Sequence, residues 1–390
     1  MASYWFEPQT VTLDVGGRPM KLETGRMAKQ AAGAVLVTYG ETVVLCTAAR
    51  AKPRPGIDFF PLVVDFVEKT SAAGKIPGGF FKREGRLSDR EILVCRFIDR
   101  SIRPLFPEQY RDETQIVATV LSADGENQPD MPAFVGASAA LSISQLPFEG
   151  PIAAVRVGRV ENELIVNPTT EQNANSDISL VVGGSRNALV MVEGGGDGIP
   201  EAEMLEALQF GHREAVRLID LQEELVKKAG KPKMEVPEAP ASPALEAQVR
   251  EKAEARLDAA LQIRVKHERY DAIAEIENEV RAELVDAYRE EKANLDTLAA
   301  VEERRLGLAS LTDRVNHILH DLRSGLMRRR IVNDRVRIDG RGPADIRPIA
   351  CEVRVVPRPH GVALFTRGET QALVNTTLGG KFDEQTIDSL

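Results

Sequence analysis

Apolar and polar residues alternate with a period of two over residues 10–15, 34–38, 42–48 and 60–66, and these runs are rich in Val, Thr and Leu. Such alternation places successive side chains on opposite faces of a strand. It therefore predicts antiparallel hairpins separated by Gly and Pro turns. The period changes at Ser88-Asp89-Arg90-Glu91, which has the form of a capping box. Beyond it, Val94, Cys95, Ile98 and Ile102 fall on one side of a helix that Pro104 closes. Residues 114–121 read as a further strand and the small-residue run 133–144 as a tightly packed helix. Strands at 153–157, 164–166, 177–182 and 188–193 precede a long helix over 200–228. Together these elements predict one α+β domain over residues 1–230.

The pattern breaks again at 231–243. Pro232, Pro237, Pro240 and Pro243 stand close together there, and the segment reads as a linker. Ser242-Pro243 then has the form of an N-cap followed by a first helical residue. From 244 to about 330 the chain reads as nearly continuous helix with dense alternating charge, which suggests a small helical bundle. From Val336 the strand pattern returns, and 331–390 reads as the start of a further domain.

That domain repeats the first. Gly40-Glu41-Thr42 recurs as Gly368-Glu369-Thr370, an offset of 328 residues, and Gly33, Thr38 and Leu45 recur as Gly361, Thr366 and Leu373. Upstream, Gly25-Arg26 recurs as Gly340-Arg341. A solenoid would repeat every ~20–50 residues, so this offset indicates a duplicated domain, of which the second copy has barely begun at Leu390.

Composition narrows the class. Apolar residues make up 43% and charged residues 28% of the 390, the balance of a globular protein. No stretch approaches the roughly 18 uninterrupted apolar residues of a membrane span, and no secretory signal is seen at the N-terminus. Cys46, Cys95 and Cys351 lie far apart in apolar surroundings, which predicts buried free thiols in a reducing, cytoplasmic setting. A net charge of −9 argues against a surface that coats nucleic acid everywhere, but leaves room for a local basic channel.

One segment supplies that channel's chemistry. Ile76-Pro77-Gly78-Gly79-Phe80-Phe81-Lys82-Arg83-Glu84-Gly85-Arg86 sets two aromatic rings beside basic groups on a glycine-rich loop. Rings stack on bases of any sequence while Lys and Arg neutralise phosphates, a combination suited to single-stranded nucleic acid. The plainer alternative is that one Phe anchors the loop in the core. Between Lys82 and Arg103 there are seven basic and four acidic residues, a local excess of three positive charges. On a helical projection Arg96, Arg100 and Arg103 fall within a sector of about 60°. A solvated charge stripe is the common fate of such a row; the neighbouring aromatic loop favours RNA contact. Elsewhere, His317 and His320 are three residues apart and could hold a metal, although a surface pair is the commoner outcome. Gly194-Gly195-Gly196 lacks any phosphate-loop pattern.

Taken together, several motifs resemble the bacterial polynucleotide phosphorylase family. They are Gly25-Arg26, Tyr39-Gly40-Glu41-Thr42, the Gly78-to-Arg86 loop, the run from Arg96 through Arg103 to Pro107, and Leu364-Phe365-Thr366-Arg367-Gly368-Glu369-Thr370-Gln371-Ala372-Leu373. The resemblance implies an α+β ribonuclease PH-type core, an all-helical linking domain and the start of a second ribonuclease PH-type core, assembled as a homotrimeric ring. It implies 3′-to-5′ phosphorolysis of single-stranded RNA with inorganic phosphate as co-substrate and Mg²⁺ as metal, within mRNA degradation, with other RNA-decay proteins as further partners. By motif, Phe80, Phe81, Lys82, Arg83 and Arg86 would grip the strand, and Arg96, Arg100 and Arg103 would line its path. The family's catalytic centre belongs to the second core and is expected after Leu390, so no catalytic or metal-ligating residue is assigned here. In the first core, the family's Asp-x-Asp-x-Lys strand falls on Asp177, Ser179 and Val181, and only one of the three groups is kept. That predicts a first core dedicated to binding and assembly. The rivals are a non-catalytic RNA-binding scaffold and an enzyme whose active site lies in the first core.

Overall fold

The computed structural model describes residues 7–54, 57, 59–78, 82–236, 242–291 and 298–384, and within them the side chains of all but 289–291 and 298–310. The chain divides into two compact units, one up to Ala239 and one from Pro240 to Thr386.

The first unit opens with strands β1 (Gln9–Val15), β2 (Arg18–Thr24), β3 (Gly33–Tyr39), β4 (Thr42–Ala51) and β5 (Leu62–Glu68), followed by helix α1 (Asp89–Ile102) and strand β6 (Glu113–Ser122). These strands form one sheet in the order β1-β2-β3-β4-β6-β5. β5 and β6 pair in parallel, and the other neighbours pair antiparallel. A parallel pair needs a crossover, which α1 supplies. Helix α2 (Asp130–Ile143) then leads to β7 (Ala153–Val160), β8 (Glu163–Val166), the short α3 (Thr170–Ala174), β9 (Ile178–Gly184), β10 (Leu189–Gly196) and α4 (Glu201–Ala229). The four strands form a second sheet in the order β10-β9-β7-β8. Every residue of α2 is buried, and the helix packs on β3, β4 and β6 of the first sheet and on β7 of the second. Its small side chains make that possible: a Cβ on Gly136 would lie 2.5 Å from Cys46 Sγ, and one on Gly33 of β3 would lie 2.0 Å from the Ala140 carbonyl oxygen.

Strand β2 has no counterpart in the sequence reading. Its residues are Arg-Pro-Met-Lys-Leu-Glu-Thr, so only Met20 and Leu22 carry the apolar signal, yet both are fully buried. The strand exists because β1 and β3 pair with it on either side.

The second unit begins with α5 (Pro243–Ala260), α6 (Lys266–Glu291) and α7 (Leu298–Arg329). The expected near-continuous helix is thus interrupted. Ser242 occupies the N-cap with Pro243 at the first helical position, but its side chain makes no capping bond. Leu245, Val249, Ala253 and Leu257 of α5 meet Ile273, Ile276, Val280 and Leu284 of α6 and Val315, Leu319, Leu322 and Leu326 of α7 in one core. Spacings of three and four put each set on one helical face. The α5–α6 break is tied by buried Arg269, whose guanidinium donates to the carbonyls of Ile263, Arg264 and Ile338 at 2.8, 3.1 and 3.2 Å.

Strands β11 (Ile349–Val353), β12 (Gly361–Arg367) and β13 (Thr370–Thr376) form a three-stranded antiparallel sheet. Its hairpin β12–β13 reproduces β3–β4: Tyr39 faces Thr42 and Gly33 faces Ala48, just as Arg367 faces Thr370 and Gly361 faces Thr376. The Gly25-Arg26 and Gly340-Arg341 pairs do not take corresponding places, since the first follows β2 whereas the second precedes β11. Cys351 was expected to be buried and is exposed, because β11 is open to solvent along its length; Cys46 and Cys95 are buried as expected.

Candidate nucleic-acid interface and adjoining cleft

Phe80 and Phe81 lie outside the described residues. Lys82, Arg83 and Arg86 are exposed, and Lys82 adopts a left-handed backbone with φ of 50°. Between them, Glu84 accepts from Lys69 Nζ at 2.6 Å and from the Thr70 amide at 3.1 Å, which fixes the basic segment against the turn after β5. The Lys69 hydrogen bond holds the Glu84 carboxyl below the usual carboxylate range.

The start of α1 follows from its sequence. Ser88 Oγ accepts from the Glu91 amide at 3.2 Å, and the Glu91 carboxylate accepts from the Ser88 amide at 2.6 Å. The other Glu91 oxygen accepts from the Glu68 amide at 2.8 Å, so the cap also docks α1 on β5. Cys95, Phe97, Ile98 and Ile102 are buried, and Cys95 Sγ accepts from the Phe66 amide at 3.0 Å.

The three predicted arginines do not behave alike. Arg96 and Arg100 are exposed. Arg100 pairs with Glu193 at 2.9 Å, whereas Arg96 makes no ion pair among the described residues. Arg103 lies just past the last turn of α1 and is engaged otherwise. It pairs with Asp99, donates to the carbonyls of Phe60 at 2.9 Å and Leu62 at 3.1 Å, and stacks over the Phe60 ring. A helical projection gives its angle but not the strand it meets.

Beside α1 lies a cleft of about 450 Å³. Its floor is a cross-strand row in which Val181 of β9 stands between Arg156 of β7 and Glu193 of β10. In the next row Ser179 stands between Gly158 and Gly195. Arg90, Leu93, Val94 and Phe97 of α1 form one wall, and Gln128, Asp130 and Met131 the other. Asp130 and Arg156 form an ion pair with side chains only 7% and 17% exposed. The sequence reading missed this pair. Its signal was a charge inside an otherwise apolar run, Arg156 in Ala-Ala-Val-Arg-Val and Asp130 opening α2.

Ser179 and Val181 thus line the cleft where the family pattern would have a second Asp and a Lys. Asp177 is committed elsewhere. Arg159 Nε and Nη2 reach its two oxygens at 2.9 and 2.6 Å, and this pairing holds its carboxyl below the ordinary range. A carboxylate engaged on both oxygens is a poor cation ligand. Among the described residues, no group of three or more His, Cys, Asp and Glu is placed to hold a metal ion. His317 pairs with Asp321 at 3.3 Å, and His320 Nδ1 lies 3.5 Å from Arg323 Nη2. The three glycines 194–196 lie within β10.

Three family models match the chain. The 3′ exoribonuclease family, domain 1, covers residues 16–147, and domain 2 of the same family covers 150–214. The RNA binding domain of polyribonucleotide nucleotidyltransferase covers 244–342. Over 98% of its length the chain is 51% identical to the polyribonucleotide nucleotidyltransferase of Syntrophotalea carbinolica and 48% identical to that of Bacillus cytotoxicus. It covers 52% of each relative, so it spans about half the length of the proteins it matches. A crystal structure of rice (Oryza sativa) Rrp46 aligns with 56% of this chain and 94% of its own, at a TM-score of 0.43 and 14% identity. No helix among the described residues is long and apolar enough to cross a membrane. With both domains of the 3′ exoribonuclease family followed by a helical segment that matches the RNA binding domain of polyribonucleotide nucleotidyltransferase, this chain belongs to the polyribonucleotide nucleotidyltransferase family.

Proposed function

We propose that this chain is the RNA-guiding part of a 3′-to-5′ phosphorolytic exoribonuclease acting in cytoplasmic mRNA degradation. The observation that carries the reading is the exposed basic surface of Lys82, Arg83, Arg86, Arg96 and Arg100, held by the α1 capping box and the Glu84 anchor, in a chain matching exoribonuclease and RNA-binding domains. Phosphate oxygens of single-stranded RNA would pair with these guanidinium and ammonium groups while Phe80 and Phe81 stack on bases. Arg103 serves mainly to hold α1 on the β5 edge.

In the reaction of the whole enzyme, an oxygen of inorganic phosphate attacks the 3′-terminal phosphorus. The bond from that phosphorus to the preceding 3′ oxygen breaks, leaving a nucleoside diphosphate and a shortened strand with a free 3′ hydroxyl. Mg²⁺ would neutralise charge on the transferring group. The donors of the first unit do not fit such an ion, since Asp177 is held by Arg159, so we assign the metal and the chemistry to residues outside this chain. Exposed Phe59, Val63, Ile92 and Leu93 offer apolar surface for assembly into a homotrimer, and further RNA-decay proteins are candidate partners. We keep residues 1–230, 231–243, 244–330 and 331–390 as core, linker, helical domain and start of a second core.

The test has two arms. Release of nucleoside diphosphates from an oligoribonucleotide with phosphate and Mg²⁺ is expected from the full-length Syntrophotalea relative and not from this chain. A fluorescent single-stranded oligoribonucleotide should bind this chain, and Arg96→Gln with Arg100→Gln should flatten the salt dependence by roughly 0.7 per lost phosphate contact. Turnover by this chain would place a working site in the first unit. Unchanged binding in the double variant would remove α1 from the RNA path.

A further inference from the structure

We propose that Lys233 is an acylation site: its amine takes the acyl group of a small acyl phosphate, and the modification loosens the strap that residues 231–236 form on the end of α2. The last turn of any helix leaves carbonyls without intrahelical partners, and here Leu141, Ile143 and Ser144 are all buried. The residues that follow α4 supply the donors. The Lys231 amide donates to the Ile143 carbonyl at 3.0 Å and the Met234 amide to the Gln145 carbonyl at 2.8 Å. Lys233 Nζ donates to the carbonyls of Leu141 and Ser144 at 2.8 and 2.9 Å. Met234 and Val236 complete the strap by packing against the core.

The surroundings of the Lys233 amine suit a nucleophile. A neutral amine has two N–H bonds and one lone pair. The two carbonyls take both N–H bonds, which leaves the lone pair for the solvent side, where Lys233 is exposed. Its seat against buried residues desolvates the group and pushes its pKa down to about 8. About a tenth of it is then neutral at pH 7, against well under roughly a thousandth of an ordinary lysine. From Lys227 to Glu235 the chain carries four Lys and one Glu, a local positive excess that draws a small anionic donor. In the step, the lone pair attacks the acyl carbon and a C–N bond forms. The C–O bond to phosphate breaks, its electron pair leaves on the phosphate, and the surplus proton on nitrogen passes to water. The resulting amide keeps one N–H for two carbonyls. Leu141 retains the amide and hydroxyl of Ser144, so the loss falls on the Ser144 carbonyl.

The intact 390-residue chain is incubated with acetyl phosphate, and acetylation at each lysine is followed by peptide mass spectrometry, both folded and in denaturant. Folded, Lys233 should react about tenfold faster than Lys231, whose Nζ donates to a single carbonyl, that of Ala32 at 2.8 Å. In denaturant the two rates should be equal. Acetylation should speed hydrogen exchange at the Lys231 and Met234 amides by about tenfold. Lys233→Arg keeps donors for both carbonyls and removes the nucleophile, so its exchange should stay slow in acetyl phosphate. The proposal is overturned by a folded rate at Lys233 no greater than at Lys231, or by a preference that persists in denaturant. Unchanged exchange after acetylation, or equally raised exchange in Lys233→Arg, overturns it too.

Discussion

The hairpins β3–β4 and β12–β13 share a turn, a register and a φ near 60° at the turn glycine, yet their surroundings differ completely. In the first hairpin Val35, Val37, Val44 and Cys46 are fully buried. In the second, Phe365, Leu373 and Val374 are 40%, 52% and 55% exposed. The Gly-Glu-Thr turn of the first is seated on Asp124. That carboxylate accepts from the Glu41 amide at 3.0 Å, the Thr42 hydroxyl at 3.1 Å, and the amides of Glu126 and Asn127 at 2.9 and 2.7 Å. The local sequence therefore suffices for the hairpin and its turn. Burial comes from elements far along the chain, α2 above all.

The contrast can be tested most severely through its cysteines. Cys46 is buried, and desolvation pushes its thiol well up, whereas Cys351 is exposed. A thiol reagent should modify Cys351 at once and Cys46 only on opening, about a thousandfold slower or more for a unit of ordinary stability. Cys351 stands on β11, opposite Phe365 of the second hairpin, so equal rates would erase the distinction between the two sheets that hold the hairpins. Next in size are the paired glycines. Gly33→Ala places a methyl against the Ala140 carbonyl and should cost about 3 kcal/mol, whereas Gly361→Ala meets only Thr376 at 3.4 Å and should stay within about 0.5 kcal/mol. Denaturant unfolding of both variants checks the difference.

Val37→Ala should cost about 2 kcal/mol as a buried truncation, and Phe365→Ala markedly less despite removing a larger group. The smallest effect concerns the turn seat. Burial would raise the Asp124 carboxyl, but the hydrogen bonds from Asn127, Glu126 and Glu41 outweigh it and hold it below its ordinary value of 3.8. A depressed folded value stabilises above the unfolded one and is lost as pH falls through the folded one. Asp124→Asn should therefore cost about 1 kcal/mol at neutral pH and little below pH ~3. The same cost at both pH values would show that the seat acts by shape alone.

How far the sequence carried the structure differs by element. The duplicated hairpin was legible because a turn glycine and alternating side chains are local signals. The α1 cap was legible for the same reason, since Ser88 and Glu91 satisfy each other. Strand β2 was not, because four of its seven residues are Arg, Pro, Lys and Glu, and tertiary pairing overrides that composition. Asp124 and Thr42 stand 82 residues apart, and nothing in either stretch announces their meeting. Among the basic residues, Arg96 and Arg100 emerged exposed as the helical projection implied. Arg103 was diverted to the Phe60 and Leu62 carbonyls, a long-range contact that no projection contains.

Helix α2 has a consequence for how the first unit opens. A helix whose fourteen residues are all buried, with no polar face, gains nothing by existing apart from the sheets around it. It cannot fray outward on its own, so its amides should exchange with solvent hydrogen only through concerted loss of β3, β4, β6 and β7. Exchange at Val135–Ala140 would then read the global unfolding equilibrium directly, making this short stretch an internal gauge of the whole unit's cooperativity.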